Sequence, residues 1–170
     1  MRLAVTLESA DASSQALEES VLDILGSTRL LALSTIGDDG GPRACNLYYA
    51  HDTRCRLYFL TPPTTEHARN LERDQRVAVA VADTQQTGDR GKRGLQFVGT
   101  GSRAAGPVLD EGLAAYRLRF PATRDALRSQ ASIEASGMES RVYVIVPQRL
   151  KVFDERLFGE ERWIDAAIDG

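Results

Sequence analysis

The spacing of turn residues constrains this chain more than any other feature. Gly37-Asp38-Asp39-Gly40-Gly41, Asp52-Thr53-Arg54 and Pro62-Pro63 cut the stretch after Arg29 into short extended pieces. Glycine takes positive φ at little steric cost, and proline cannot continue a ladder. Arg29–Ile36, Pro42–His51 and Cys55–Thr61 therefore read as a three-stranded antiparallel meander. Val77, Val79 and Val81 alternate with alanines in a fourth strand. Gly94–Ala104 is a fifth, and its interior Gly99 and Gly101 mark a bend, a bulge or a close approach. Arg141–Val146 and Leu150–Phe153 are strands around Pro147, and Arg162–Ile164 is a last short one.

Helical periodicity is confined to the gaps. Ser13–Gly26 gathers Leu17, Val21, Leu22, Ile24 and Leu25 on one side, with Ser13 or Ser14 as cap and Gly26 as stop. Thr64 or Thr65 caps a helix over Glu66–Asp74, with acids near its first turn. Pro107–Phe120 opens with a tolerated proline, and Pro121-Ala122-Thr123 restarts a helix through about Ser129. Ser132–Ser140 reads either way, and Asp83–Lys92 is a polar loop. The fold class is α+β: a six- to eight-stranded antiparallel β-barrel with flanking helices, since parallel βαβ units match poorly. The length of 170 residues suits one domain, with a helix at about 13–26 and the barrel at about 29–164.

Composition narrows the classes of function. A net charge of −3 leaves no basic field for nucleic acid or an acidic membrane. No run reaches the ~18 apolar residues of a membrane span. In the meander Cys45 faces residues near Thr61, and Cys55 faces His51, so the two are not disulfide partners. Free thiols, and a start at Met1–Ser20 without a signal-peptide stretch, point to the cytoplasm. There is no glycine-rich phosphate loop and no Gly-x-Ser-x-Gly elbow. Two cysteines and two histidines are too few for a zinc cage, so no metal site is expected.

The segment Thr61–Arg69 remains. Hydroxyls at a strand end and helix start, with His67 as a further donor, suit a phosphate; a plain helix cap is the other reading. Gln96, within Leu95-Gln96-Phe97-Val98, either needs a ligand inside a barrel or faces water, and Asn46 poses the same choice. Tyr48, Tyr49 and Tyr58 read as barrel packing. Asp89–Arg93 reads as a solvated loop or a cationic gate over a phosphate. Trp163 either covers a ligand or plugs the barrel end.

In order, Gly41-Pro42, Cys45–Ala50, Phe59-Leu60-Thr61, Thr65-Glu66-His67 and Arg76–Val79 resemble the flavin-binding core of pyridoxamine-5′-phosphate-oxidase-like split barrels. Gly94–Gly99, Arg119-Phe120-Pro121 and Leu150–Asp154 followed by Phe158-Gly159 and Trp163 resemble a small bacterial branch of that superfamily. The resemblance implies an FMN-binding split barrel, a homodimer with the flavin in a groove between subunits, and oxidation or reduction of a small molecule. Cofactor contacts are then expected from Cys45, Asn46, Thr61, Thr65, His67, Gln96 and Trp163. No catalytic residue is assigned. Cys45, Ala50 and Glu66-His67 stand where the true oxidase has arginines and lysines, which argues against pyridoxamine 5′-phosphate as substrate. A non-catalytic flavin- or haem-binding protein and a deazaflavin-using reductase are the alternatives.

Overall fold

Apolar residues at every second position build one curled sheet. In Leu30–Ile36 (β2) the buried residues are Leu31, Leu33 and Thr35; in Arg76–Ala82 (β6) they are Val77, Val79 and Val81, with alanines outside. The computed structural model describes residues 4–7, 13–87 and 91–169. Its other strands are Ala4–Leu7 (β1), Pro42–Tyr48 (β3), Ala50–His51 (β4), Leu57–Thr61 (β5), Arg93–Arg103 (β7), Arg141–Asp154 (β8) and Trp163–Asp169 (β9). All pairs are antiparallel, in the order β1-β9-β8-β7-β6-β2-β3, with β5 on β8 and β4 on β5. β3 comes back close to β5 without hydrogen-bonding to it, which leaves the seam of a split barrel.

The helices are Ser14–Ser27 (α1), Glu66–Arg73 (α2), Gly106–Arg119 (α3), Gln130–Ala135 (α4) and Glu155–Phe158 (α5). None is long and apolar enough to cross a membrane among the described residues. Leu17, Val21, Ile24 and Leu25 of α1 join Leu33, Phe59, Phe97 and Tyr143 in the main core. A second core lies under α3, where Leu113 and Tyr116 meet Tyr58, Val142 and Val144.

Polar contacts lock α1 onto the barrel. Ser13 caps its start by accepting from the Ala16 amide at 3.1 Å. Its last carbonyls, at Leu25 and Thr28, accept from the Arg119 guanidinium, a cation where the helix dipole favours one. Buried Asp154 accepts from Ser20 Oγ at 2.7 Å and from Arg93 Nε at 3.0 Å, and Arg93 also reaches Asp23 at 2.6 Å.

Several sequence expectations change. Gly26 does not stop α1, which runs to Ser27 and ends where Thr28 and Arg119 take over. The strand expected over Pro42–His51 breaks at Tyr49, because Tyr49 and Ala50 are both buried and a continuous strand cannot bury neighbours on one face. Only Ala50–His51 pair with β5, so the meander does not form; Cys45 sits opposite Leu33 rather than near Thr61 in register, and His51 opposite Leu57 rather than Cys55. Both thiols are free, as expected. After one 3-10 turn at Pro121–Thr123 the helix does not continue to Ser129; α4 forms later, capped by Ser129. The two strands around Pro147 are one strand, and the last strand is longer than expected. Asp89 and Arg90 of the charged run lie outside the described residues.

Gly99 marks a bulge. Val98 faces Arg149 but Gly99 faces Pro147, so Gln148 is the extra residue. A Cβ on Gly99 would lie 2.2 Å from the Val146 carbonyl oxygen, a backbone atom that cannot step aside. We expect Gly99→Ala to cost about 1–3 kcal/mol through overpacking. Gly26→Ala, on an open helix face, should gain up to about 1 kcal/mol. Urea midpoints moving in opposite directions at constant m check this pair; a neutral Gly99→Ala would refute the backbone-contact account.

Candidate functional site

The turn after β5 and the start of α2 bring three of the expected residues together. His67 Nε2 lies 2.8 Å from Thr61 Oγ1 and 3.1 Å from Thr65 Oγ1, and the two hydroxyls are 3.2 Å apart. Thr65 donates its hydroxyl proton to the Pro62 carbonyl at 2.9 Å and so leaves the first turn of α2 without a side-chain cap. The plain-cap reading of this segment therefore fails. Cys45 enters from β3, with Sγ 3.6 Å from His67 Nδ1. An Nε2–H tautomer fills most bonds: the ring donates to the threonines while Nδ1 accepts the thiol proton.

Burial sets the charges. It pushes the His67 pKa below its ordinary 6.5, opposed by Glu66, and it raises the Cys45 thiol, with Glu66 adding to the rise. A neutral imidazole beside a protonated thiol is not an activated nucleophile. It is a group of neutral donors at an uncapped helix start, which suits an anion.

A cation missed by the sequence reading stands at the mouth. Arg43, two residues before Cys45 on the same side of β3, donates from Nε to Glu66 at 3.0 Å and pairs with Asp39 at 2.9 Å. Strand alternation from Cys45 was the available signal.

The other expected residues lie on the outer face. Asn46, Ala32, Ala80, Gln96 and Lys151 are successive register partners across five strands. Asn46 and Gln96 are exposed there, so Gln96 is not a polar residue inside the barrel. They stand three strands apart, about 14 Å. Trp163 does not plug the barrel end: it lies 42% exposed on the outer face, against Phe153 at 4.6 Å between ring centroids. Gln96 and Trp163 line one cleft of about 360 Å³, and Gln96 also lines a neighbouring cleft of about 370 Å³ with Lys151 and Arg149. Gly94 leaves space in the first cleft, but Gly99 serves the bulge and not a ligand. Tyr49 and Tyr58 are core residues, whereas Tyr48 is exposed on the outer face. Among the described residues no group of three or more His, Cys, Asp or Glu could hold a metal.

Comparison with known proteins agrees with this architecture. The sequence model for pyridoxamine 5′-phosphate oxidase matches residues 17–147. The chain belongs to the pyridoxamine 5′-phosphate oxidase family. No curated protein matches it. Among solved structures, a haem-binding protein from Mycobacterium smegmatis superposes with a TM-score of 0.70 at 22% identity, over 92% of this chain and 59% of that one. This chain thus spans under two thirds of that relative. A conserved hypothetical protein from Mycobacterium tuberculosis gives 0.67 at 25% identity, over 92% and 95%. The haem storage protein HutZ from Vibrio cholerae gives 0.66 at 19% identity, over 86% and 99%. These likenesses carry the family's split-barrel fold; the M. smegmatis and V. cholerae proteins, below 25% identity, carry the fold alone.

The lowered His67 and His51 pKa values make stability fall with acid. Each folded value lies below the ordinary 6.5, so protons bind the unfolded chain first. Stability is intact above about pH 6.5 and declines as pH falls through the lowered folded values. His67→Gln should flatten part of the slope of unfolding free energy below about pH 6.5. A slope unchanged by the substitution would mean that His67 titrates normally.

Proposed function

We propose that the protein is a flavin-dependent oxidoreductase of this family, acting on a small molecule, with FMN held between two copies of the chain. The observation that carries this reading is the division of the candidate residues at edge strand β3. Cys45 belongs to the donor group at the seam, and its neighbour Asn46 belongs to the outer face. An elongated ligand with an anionic end and a flat end fits such a site. Gln96 and Trp163, several strands away, would reach its flat end from a second copy.

The residues fit the group in kind. Thr61, Thr65 and His67 would hold the phosphate by turning their protons from one another and from the Pro62 carbonyl toward it, with Arg43 as the nearby cation. Gln96 would orient the ring edge through an amide that both donates and accepts. The isoalloxazine ring, when bound, supplies the electron transfer, and the protein supplies orientation and electrostatics. Pyridoxamine 5′-phosphate is not the proposed substrate, since Cys45, Ala50 and Glu66-His67 stand where the true oxidase has arginines and lysines. The outer face also exposes Leu30, Tyr48 and Val98, which suits burial of more than about 2,000 Å² in a homodimer.

Haem binding without turnover is a second reading, supported by the haem-binding M. smegmatis protein and the haem-storage V. cholerae protein. Against it, neither histidine lines the two clefts beside Gln96; His51 lines a third cleft, of about 650 Å³, together with the charged Asp52, Arg54, Arg56 and Glu111.

Titration of the apoprotein with FMN and with haemin separates the two readings. The flavin reading expects a yellow complex, quenching of Trp163 emission, and a Kd raised about fivefold or more in Thr65→Ala, the loss of one hydrogen bond to a charged group. The complex should bleach with NAD(P)H and recolour in air. A Soret band with no flavin uptake would replace this reading with the haem one, and a stable monomer in light scattering would remove the two-copy site.

A further inference from the structure

On the outer face, Lys151 sits in an unusual place for a lysine. It is half-buried on β8, the direct register partner of Gln96 on one side and of Asp165 on the other. Its ammonium lies 5.2 Å above the centroid of the Trp163 ring, a cation–π contact that holds it in position. No carboxylate of the described residues lies within ion-pair distance of it. It lines a cleft of about 370 Å³ with Gln96, Val98, Arg149 and Asp165, and Phe153 packs on Trp163 beside it.

Lysine is depleted at the centres of protein interfaces because removing a strongly hydrated ammonium from water is costly without an anion to meet it. A lysine pinned beside Arg149 in a cleft that a second copy would cover therefore needs an electron-rich partner. Asp165, its neighbour in register, does not provide one within this chain. The clefts on either side of Gln96 place the expected flat end of the ligand beside this ammonium.

We propose that Lys151 is the positive charge that tunes the bound flavin ring, favouring its reduced and more negatively charged form. This rests on the flavin reading above. Trp163 and Gln96 position the ammonium and the ring edge, and Lys151 acts on the ring through its charge. A fixed cation stabilises added negative charge most where water is excluded, as between two copies of the chain.

The test is the midpoint potential of FMN bound to the wild type, Lys151→Met and Lys151→Arg, with dimer mass and FMN affinity measured on the same samples. Lys151→Met should bind reduced FMN about tenfold less well relative to oxidised FMN, a potential lower by about 30 mV for the two-electron couple. Lys151→Arg should stay near the wild type. An unchanged potential in a dimeric, flavin-loaded Lys151→Met protein overturns the assignment. So does dissociation of the Lys151→Met protein into monomers that no longer take up FMN, which would give the lysine to the interface. A wild-type protein that takes up no FMN overturns the flavin reading itself, and this assignment with it.

Discussion

Strand β8 carries the architecture because its backbone pairs with three other strands. One edge runs the whole length of β7, while the other is shared between β5 along Arg141–Ile145 and β9 along Arg149–Phe153. A straight strand cannot serve two diverging partners on one edge. The bulge at Gln148 bends it, beside Pro147, which has no N–H to donate, and opposite Gly99, whose missing side chain lets the Val146 carbonyl approach. From that bend β5 is carried round toward β3, and the seam between them is where α2 begins.

The seam explains how a chain with few conventional site residues could hold a ligand. Thr61 ends β5, Thr65 and His67 open α2, and Cys45 leans in from β3. None of these groups is charged in its favoured state, and none has the geometry of an acid–base pair. Their shared property is donation toward an anion in a half-buried place. Arg43 adds positive charge, but Asp39 and Glu66 already draw on it. A phosphate arriving there would have to compete with the Glu66 carboxylate. This chain thus departs electrostatically from an oxidase that places cations at the helix start.

The outer face has a different character. Alanines at 32, 78, 80 and 82 give a shallow floor, and larger residues stand at its margins. Small side chains on a sheet face allow close approach of another flat surface, whether a ring or a second sheet. Gln96, Arg149, Lys151, Asp165 and Trp163 are the polar and aromatic groups lining that floor.

Much of this was legible in the linear chain. Period-two alternation and turn residues located β2, β6 and β7, and capping residues located α1 and α2, because those signals are local. The hydroxyl–histidine group was legible for the same reason: Thr61, Thr65 and His67 are close in sequence, and a strand end running into a helix start must bring them together. Pairing was not legible. The break at Tyr49 depends on its hydroxyl donating to the Leu25 carbonyl at 2.9 Å, a contact with a distant helix. The face taken by Gln96 depends on which side of β7 the barrel closes. Nothing local marks Arg43 or Lys151, since their meaning lies in Glu66 and Trp163, which only folding brings beside them. The sequence by itself determined α1, α2, the strands β2, β6 and β7, the family, and the closeness of Thr61, Thr65 and His67. The tertiary structure alone decided which strands pair and which face each candidate takes, because strand register is a long-range choice made by burial.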